Sequence, residues 1–452
     1  MTLDKFFNAK NIAIIGVSRN PNKIGHIILR NFIDSGYNGN IFIVNPNAGS
    51  ILNKTSYKKV SNINEDIDLA VIAVPAELVF DSVKDCNKKR IKNVVIVTSG
   101  FSEIGNVKEE NKLKDYMNKN KMKCIGVNCL GVFDAHTKLD TLFLPRYRLK
   151  RPKEGGISFV CQSGAVGSTI LDLATSQKHG FSKFISYGNA TNVDESDLIE
   201  YLSKDQLTKV ICVYVEAVKD GRKFMKVCSN VSKLKPIVLV KGGISEEGNK
   251  ATLSHTGSLA GNAKVYSAAF KQSGIIEVKN LQEMLDAGRT FDSVMKPKGN
   301  RIQVITNGGG YGIMATDSII ENNLKMAEVG KETKKILKKV FGKNVTISNP
   351  MDLVGDATTE MYRTAISNAL SDKNNDILLV IALYQTPLLT PDIVDVIIEA
   401  NNLKKKPILV VSAGGEFTEV LKENLEETGV PCFTFPHQAV SAIKYLLEYH
   451  GR

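Results

Sequence analysis

Short apolar runs alternate with helix-like segments through most of the chain. In the first part of the sequence, apolar runs lie at 11–18, 41–44, 69–74 and 94–97, and each ends at glycine, proline, serine or asparagine residues. Continuous apolar runs are typical of buried parallel strands, and strands that alternate with helices favour a doubly wound α/β sheet. The pattern therefore predicts such a domain at residues 1–135, with ligands bound at the carboxyl ends of its strands.

Two later parts of the chain repeat one pattern. Each copy has an apolar strand that runs into a turn of small residues, and later a Lys-Pro dipeptide, a second apolar strand and two glycines. These features lie at 157–161, 162–167 and 235–243 in the first copy, and at 301–306, 307–312 and 406–415 in the second. Two flavodoxin-like domains are the economical interpretation. We place a linker at 136–152 and the two domains at 153–296 and 297–452.

The two copies differ where ionisable side chains occur. The first copy has Glu216 at the end of a predicted strand and His255 in a polar, glycine-rich segment at 242–261, and the second copy lacks both. An imidazole is a good nucleophile towards phosphorus, and a neighbouring carboxylate would fix its tautomer. An ordinary surface histidine and a helix-start carboxylate are the plain alternatives. Because the pair occurs in one copy alone, the asymmetry favours a functional interpretation.

Two turns suit a phosphate group. The first, around Ser163, precedes a predicted helix at 169–176, so that backbone amides and a hydroxyl would meet at a positive helix end; a simple N-cap is the alternative. The second contains Gly16, Lys23 and Gly25, where the glycines either allow phosphate binding or only permit tight packing.

Composition excludes several classes of function. The net charge is +12, but the lysines are scattered and no basic run is interleaved with aromatic residues, which favours anionic small ligands over nucleic acid. The seven cysteines form no CxxC pair or metal-like spacing, which fits a reducing cytoplasm and no metal site. No apolar run approaches the ~18 residues of a membrane span. The glycine pattern of a nicotinamide site is absent, and the second strand ends in Asn45-Pro46 rather than in an acidic residue.

Four motifs carry a resemblance to a known family. They are Gly-Val-Asn-Cys-Leu-Gly at 126–131, Gln-Ser-Gly-Ala at 162–165, Ser-His-Thr-Gly-Ser-Leu-Ala-Gly at 254–261 and Asn-Pro-Met-Asp-Leu at 349–353. The chain resembles the α subunit of NDP-forming acyl-CoA synthetases, such as ADP-forming acetyl-CoA synthetase, which are relatives of succinyl-CoA synthetase. The resemblance covers nearly the whole chain and implies a Rossmann-like CoA-binding domain followed by two succinyl-CoA synthetase-like domains. Val127 stands where the family usually has proline.

The resemblance also implies the roles of individual residues. His255 is the residue that becomes phosphorylated, and Glu216 is the carboxylate that supports it. The implied phosphate contacts are Ser163, Gly164, Ala165, Thr256 and Gly257. The implied CoA contacts are Gly16, Ser18, Lys23, Asn45, Pro46, Val74, Pro75, Ser99, Gly100 and Asn128.

The implied activity is that of an ADP-forming acetate–CoA or acyl-CoA ligase. The substrates are CoA and a small carboxylic acid, and ADP or ATP with Mg²⁺ is bound mainly by an ATP-grasp module. Because the sequence leaves no room for that module, we expect it on a β subunit, in an α2β2 assembly. A non-catalytic CoA-binding regulatory subunit is the alternative, and a nicotinamide-dependent redox domain is a further one.

Overall fold

The computed structural model describes residues 3–245, 247–248 and 262–451. The chain divides into two compact units, one of residues 1–176 and 180–279, the other of residues 177–179 and 280–452. Among the helices that are described, none combines the length and the apolar character needed to cross a membrane.

The first sheet of the first unit has the strand order of a Rossmann fold. Its strands are β1 (Asn11–Ile15), β2 (Asn40–Val44), β3 (Ser50–Ile51), β4 (Lys54–Tyr57), β5 (Leu69–Ile72), β6 (Asn93–Ile96) and β7 (Lys123–Gly126), and its helices are α1 (Ile24–Ser35), α2 (Ala76–Lys88) and α3 (Val107–Lys119). The order is β3-β4-β2-β1-β5-β6-β7, in which the short β3 is antiparallel and the other pairs are parallel. Without β3 this is the 3-2-1-4-5-6 order of dinucleotide-binding folds, as the alternating pattern predicts.

The second sheet of this unit has the flavodoxin order. Its strands are β8 (Gly131–Asp134), β9 (Glu154–Cys161), β10 (Phe181–Ser186), β11 (Val210–Val215), β12 (Ile237–Lys241) and β13 (Ile276–Glu277), and its helices are α4 (Gly164–Ser176), α5 (Glu195–Lys204), α6 (Gly221–Val231) and α7 (Ala263–Gln272). The order β10-β9-β11-β12-β13 is the flavodoxin order 2-1-3-4-5, and β8 adds an antiparallel edge beside β10. The chain thus enters the second sheet at Gly131, just before the linker that we predict at 136–152.

The second unit repeats the flavodoxin order. Its strands are β14 (Arg301–Thr306), β15 (Lys325–Met326), β16 (Met351–Asp352), β17 (Ile377–Ile381), β18 (Ile408–Val411) and β19 (Cys432–Phe433), and its helices are α8 (Leu281–Ser293), α9 (Gly309–Glu321), α10 (Lys331–Val340), α11 (Thr359–Ser371), α12 (Ile393–Asn402), α13 (Glu416–Glu427) and α14 (Pro436–His450). The order β15-β14-β17-β18-β19 is again 2-1-3-4-5, with β16 paired to β14. Helix α8 belongs to this unit and contacts α14 through a hydrogen bond from the Tyr445 hydroxyl to Glu283. Helix α8 lies before residue 297, where we placed the boundary between the last two domains. That boundary stays a prediction.

One apolar core joins the two sheets of the first unit. Buried Phe7 and Ile14 from the first sheet's side belong to the same cluster as Val160 and Leu239 from the second sheet. The Phe7 ring also stacks on the ring of Tyr201, with centroids 5.2 Å apart. Full burial of each such side chain contributes about 1.5–3 kcal/mol, so this continuous core holds the two sheets together.

Candidate active site

A cleft of about 910 Å³ opens at the carboxyl ends of the parallel strands in the first unit. The loops after β1, β5, β6 and β7 form one wall, and the loops after β9, β10 and β11 form the other. Ligands of doubly wound sheets bind outside these strand ends. The cleft is therefore where the predicted site residues should meet.

Seven of the predicted CoA contacts line the cleft. They are Gly16, Ser18, Lys23, Val74, Pro75, Ser99 and Asn128. Apolar side chains beside a single ammonium group suit a long amphipathic ligand with phosphate groups, so this wall fits CoA.

Three other predicted CoA contacts do not line the cleft: Asn45, Pro46 and Gly100. The Asn45 amide donates to the carbonyl of Val17 at 2.6 Å, so Asn45 supports the loop after β1. The Gly100 amide donates to Glu103 at 2.5 Å from a left-handed backbone with φ of +109°. The structure thus gives Asn45 and Gly100 supporting contacts next to the wall, and their direct contact with CoA stays a prediction.

The two glycines of the first loop also serve tight packing. A Cβ on Gly25 would lie 2.2 Å from the carbonyl oxygen of Gly16, and one on Gly16 would lie 2.3 Å from the carbonyl oxygen of Ala73. Both distances are far shorter than any real Cβ contact. The packing interpretation therefore holds for both glycines, and it is compatible with ligand binding because both also line the cleft.

The predicted phosphate turn lies at the N-terminus of α4. Ser163, Gly164 and Ala165 line the cleft, and the Ser163 hydroxyl oxygen accepts a hydrogen bond from the amide of Val166 at 3.4 Å. Helix α4 begins at Gly164, so the positive end of its dipole lies at the cleft. Ser163 is thus a weak N-cap as well as a candidate donor to phosphate.

Glu216 is buried in the same cleft, on the wall that also carries the α4 turn. It directly follows β11, and β11 pairs in parallel with β12 so that Val215 lies opposite Lys241. The carbonyl oxygen of Glu216 accepts a hydrogen bond from the Lys241 ammonium at 2.7 Å. Burial lowers the pKa of Lys241, and the negative charge of Glu216 opposes that shift.

The described beginning of the glycine-rich segment lies beside Glu216. A Cβ on Gly242 would be 3.5 Å from Cγ of Glu216. His255, Thr256 and Gly257 lie outside the described residues. The pairing of His255 with Glu216 therefore stays a prediction.

Three protein families match successive parts of the chain. They are a CoA binding domain at residues 10–135, a succinyl-CoA ligase like flavodoxin domain at 154–291 and a ligase-CoA domain at 302–447. The α subunit of ADP-forming acetate–CoA ligase II from Pyrococcus furiosus is 37% identical over 454 residues, which cover 99% of this chain and 97% of that protein. The chain belongs to the family of the α subunits of ADP-forming acetate–CoA ligases.

Two further members of this ligase family are similar over nearly the whole chain. The ADP-forming acetate–CoA ligase of Methanocaldococcus jannaschii is 40% identical over 444 residues. The match covers 97% of this chain but only 62% of the length of that protein. The dinucleotide-forming acetyl-coenzyme A synthetase 1 of Ca. Korarchaeum cryptofilum, solved in complex with phosphate and ADP, is 34% identical and superimposes with a TM-score of 0.94, over 99% of this chain and 96% of that one.

The cleft of this ligase-family chain also contains a polar cluster that we did not predict from the sequence. The cluster is centred on Asn189, whose side chain donates to Glu103 and Glu110 and whose carbonyl accepts from Lys219. All four residues line the cleft. Asn189 follows β10, a strand that we did not single out, although the rule that strand ends share one edge would have identified it.

The carboxylate of Glu103 is held in its ionised form. Burial acts to raise its pKa, but hydrogen bonds from the amides of Gly100 and Phe101 and from the side chain of Asn189 outweigh burial, so the pKa lies below its ordinary value. The Lys219 ammonium donates to the carbonyl of Asn189 at 2.5 Å, and burial lowers the pKa of Lys219. The cluster thus places fixed charges of both signs beside the predicted CoA loops.

Metal binding has no candidate cluster in the described part of the chain. There, no three histidine, cysteine or acidic side chains lie together in a way that could hold a metal ion. All seven cysteines lie in the described part of the chain, where they are buried and form no disulfide.

Proposed function

We propose that the chain is the phosphoryl-transferring α subunit of an ADP-forming acyl-CoA ligase, with acetate as the first substrate to test. The reaction is acyl-CoA, phosphate and ADP giving the free acid, CoA and ATP. The observation that carries the proposal is the single cleft in which the CoA-loop residues, the α4 turn and Glu216 meet.

The proposed reaction begins at the thioester. A phosphate oxygen attacks the carbonyl carbon of acyl-CoA, the carbon–sulfur bond breaks, and the CoA thiolate leaves and takes up a proton. The N-terminus of α4, with Ser163 and Gly164, would hold the phosphate by its amides and dipole. Loops that carry Lys23 and Asn128 would hold the CoA.

The second half of the reaction passes through His255. A ring nitrogen of His255 attacks the phosphorus of the acyl phosphate, and the carboxylic acid leaves as its carboxylate. Glu216 would accept a hydrogen bond from the other ring nitrogen and stabilise the positive charge that develops on the ring. The phosphohistidine then transfers its phosphoryl group to ADP, so that covalent catalysis divides one difficult transfer into easier ones.

The proposed partner is an ATP-grasp β subunit that binds ADP with Mg²⁺, in an α2β2 assembly. Support for a partner comes from the Pyrococcus furiosus relative, which is named a subunit and matches this chain over 97% of its own length. The Methanocaldococcus jannaschii ligase, of which this chain spans 62%, is long enough to carry such a module in the same polypeptide.

The decisive variant is His255→Ala. With the β subunit and radiolabelled ATP present, we expect it to lose all incorporation of phosphate into the chain, because no other group would accept the phosphoryl group. His437→Ala is the matched control, since His437 is an exposed histidine of the second unit. Full labelling of His255→Ala would refute the proposal, as would wild-type chain that binds CoA but never becomes labelled, the behaviour of a regulatory subunit.

A further inference from the structure

Asn189 has a hydrogen-bond partner for each polar atom of its side chain and backbone. Its Nδ2 lies 2.7 Å from Oε2 of Glu103, 2.9 Å from Oε2 of Glu110 and 3.1 Å from Oγ of Ser102. All three acceptors belong to the segment that connects β6 to α3 or to α3 itself. The side-chain amide of Asn189, which follows a strand of the second sheet, thus donates to two carboxylates that follow a strand of the first sheet.

The remaining atoms of Asn189 contact two further loops. Its Oδ1 accepts a hydrogen bond from the Asn128 amide at 3.2 Å, and its backbone amide donates to the carbonyl of Val127 at 3.0 Å. Its own carbonyl accepts from the Lys219 ammonium at 2.5 Å. Asn189 therefore joins the loops that follow β6, β7, β10 and β11, which are four of the loops that line the cleft.

The contacts of Glu103 extend this link to the backbone of the predicted CoA loop. Oε1 of Glu103 accepts from the amides of Gly100 and Phe101 at 2.5 and 3.1 Å, while Oε2 accepts from Asn189. The half-buried carboxylate of Glu103 needs such donors, because a charge withdrawn from water without a partner is costly. The conformation of the segment at 98–101 thus depends on an amide from the other wall of the cleft.

We infer that Asn189 is a positioning residue for CoA, which holds the loops that carry Ser99 and Asn128 against the wall that carries the phosphate turn. The inference rests on the proposed function. An amide is required at this position because it must donate to two carboxylates and accept from Asn128 at the same time. An aspartate has the same shape but cannot donate.

The test is Asn189→Asp in the full-length chain. The new carboxylate would replace the amide donor to Glu103 and Glu110 with a third acidic group, so the loop after β6 should move away. We expect the dissociation constant for CoA in calorimetric titration to rise at least about tenfold, the range for losing a hydrogen bond to a charged group. Adding Glu110→Gln returns a donor to the cluster and should recover most of the affinity.

A second readout separates positioning from a general structural role. Labelling of the chain by ATP and the β subunit does not use CoA, so Asn189→Asp should keep its labelling rate within about twofold while CoA binding weakens. An equal loss of labelling and of CoA binding would overturn the inference. Unchanged CoA affinity in Asn189→Asp would overturn it as well.

Asn192→Asp is the matched control. Asn192 lies three residues further along the same segment, and its Nδ2 also crosses to the first sheet's side, where it donates to Asn118 at 3.0 Å and to the carbonyl of Met122 at 2.9 Å. It does not line the cleft. The control should bind CoA like the wild type, and a loss equal to that of Asn189→Asp would overturn the inference.

The outcomes distinguish this inference from the proposed function. Wild-type chain that fails to bind CoA refutes both, whereas wild-type binding with unchanged Asn189→Asp refutes the inference alone. If Asn189→Asp does not fold, Asn189→Ala removes the donor without adding a charge and is held to the same tenfold criterion.

Discussion

Gln162 fixes the candidate phosphate turn relative to Glu216. Its Oε1 accepts from the backbone amides of Glu216 and Ala217 at 2.7 and 3.1 Å, and its backbone amide donates to the carbonyl of Tyr214 at 3.1 Å. Ser163 is the next residue, so the turn cannot move without disturbing the end of β11. The sequence motif identified the turn, but the role of Gln162 depends on a contact 54 residues away, which no local pattern reveals.

Glu216→Gln tests the carboxylate that the mechanism assigns to the imidazole. The amide has the same size but no negative charge, so it cannot stabilise the cationic ring that forms on phosphorylation. We expect His255 phosphorylation, measured by rapid quench with labelled ATP, to slow at least about tenfold, with CoA affinity unchanged.

The control for this prediction is Glu195→Gln. Burial raises the pKa of Glu195 to about 7, but its side chain does not line the cleft. Its substitution should leave the phosphorylation rate at the wild-type value. A wild-type rate in Glu216→Gln would remove Glu216 from the active site.

At the scale of elements, helix α1 is in backbone contact with the loop after β1. The Cα of Gly25 packs so closely on the Gly16 carbonyl that a methyl group would have to displace the helix. This packing brings the N-terminus of α1 and the neighbouring Lys23 to the cleft.

Gly25→Ala should therefore impair both stability and CoA binding. Overpacking of this kind typically costs about 1–3 kcal/mol, which a denaturant titration would detect, and the shifted helix should weaken CoA binding in the same preparation. Gly221→Ala is the matched control, because Gly221 begins α6 and a Cβ there meets nothing within 4 Å. A Gly25→Ala chain as stable as this control would contradict the packing distance.

The elements differ in how far they could be predicted. Strands such as β5 and β11 were predictable because buried parallel strands read as unbroken apolar runs. Strand β8 was not, because four residues, Gly131–Asp134, give no periodic signal and their place depends on pairing with β10 some 50 residues later. For Asn189, the strand-end rule could have placed the residue at the cleft, but not its partners, because these come from loops far apart in the sequence.

At the scale of the whole molecule, each unit carries one copy of the same lysine anchor. The Lys235 ammonium donates to the carbonyls of Leu202 and Asp205, at the end of α5, at 2.9 and 2.5 Å. The Lys406 ammonium donates to the carbonyls of Ala369, at 2.9 Å, and of Asp372, at the end of α11. Both lysines precede a proline and a core strand, so the Lys-Pro repeat in the sequence marks a structural device that satisfies the last carbonyls of a helix.

The two lysines therefore form a matched pair for testing the independence of the units. Replacement by methionine keeps the apolar stem but leaves the helix-end carbonyls without their donor, at a cost of about 1–3 kcal/mol. In hydrogen-exchange mass spectrometry, Lys406→Met should speed exchange in peptides from residues 280–452 and leave peptides of β9–β12 at wild-type rates. Lys235→Met should do the reverse. The reason is that each lysine lies within its own unit. Faster exchange throughout the chain in both variants would show that the two units unfold together. The two units would then be separate in their contacts but would form one cooperative folding unit.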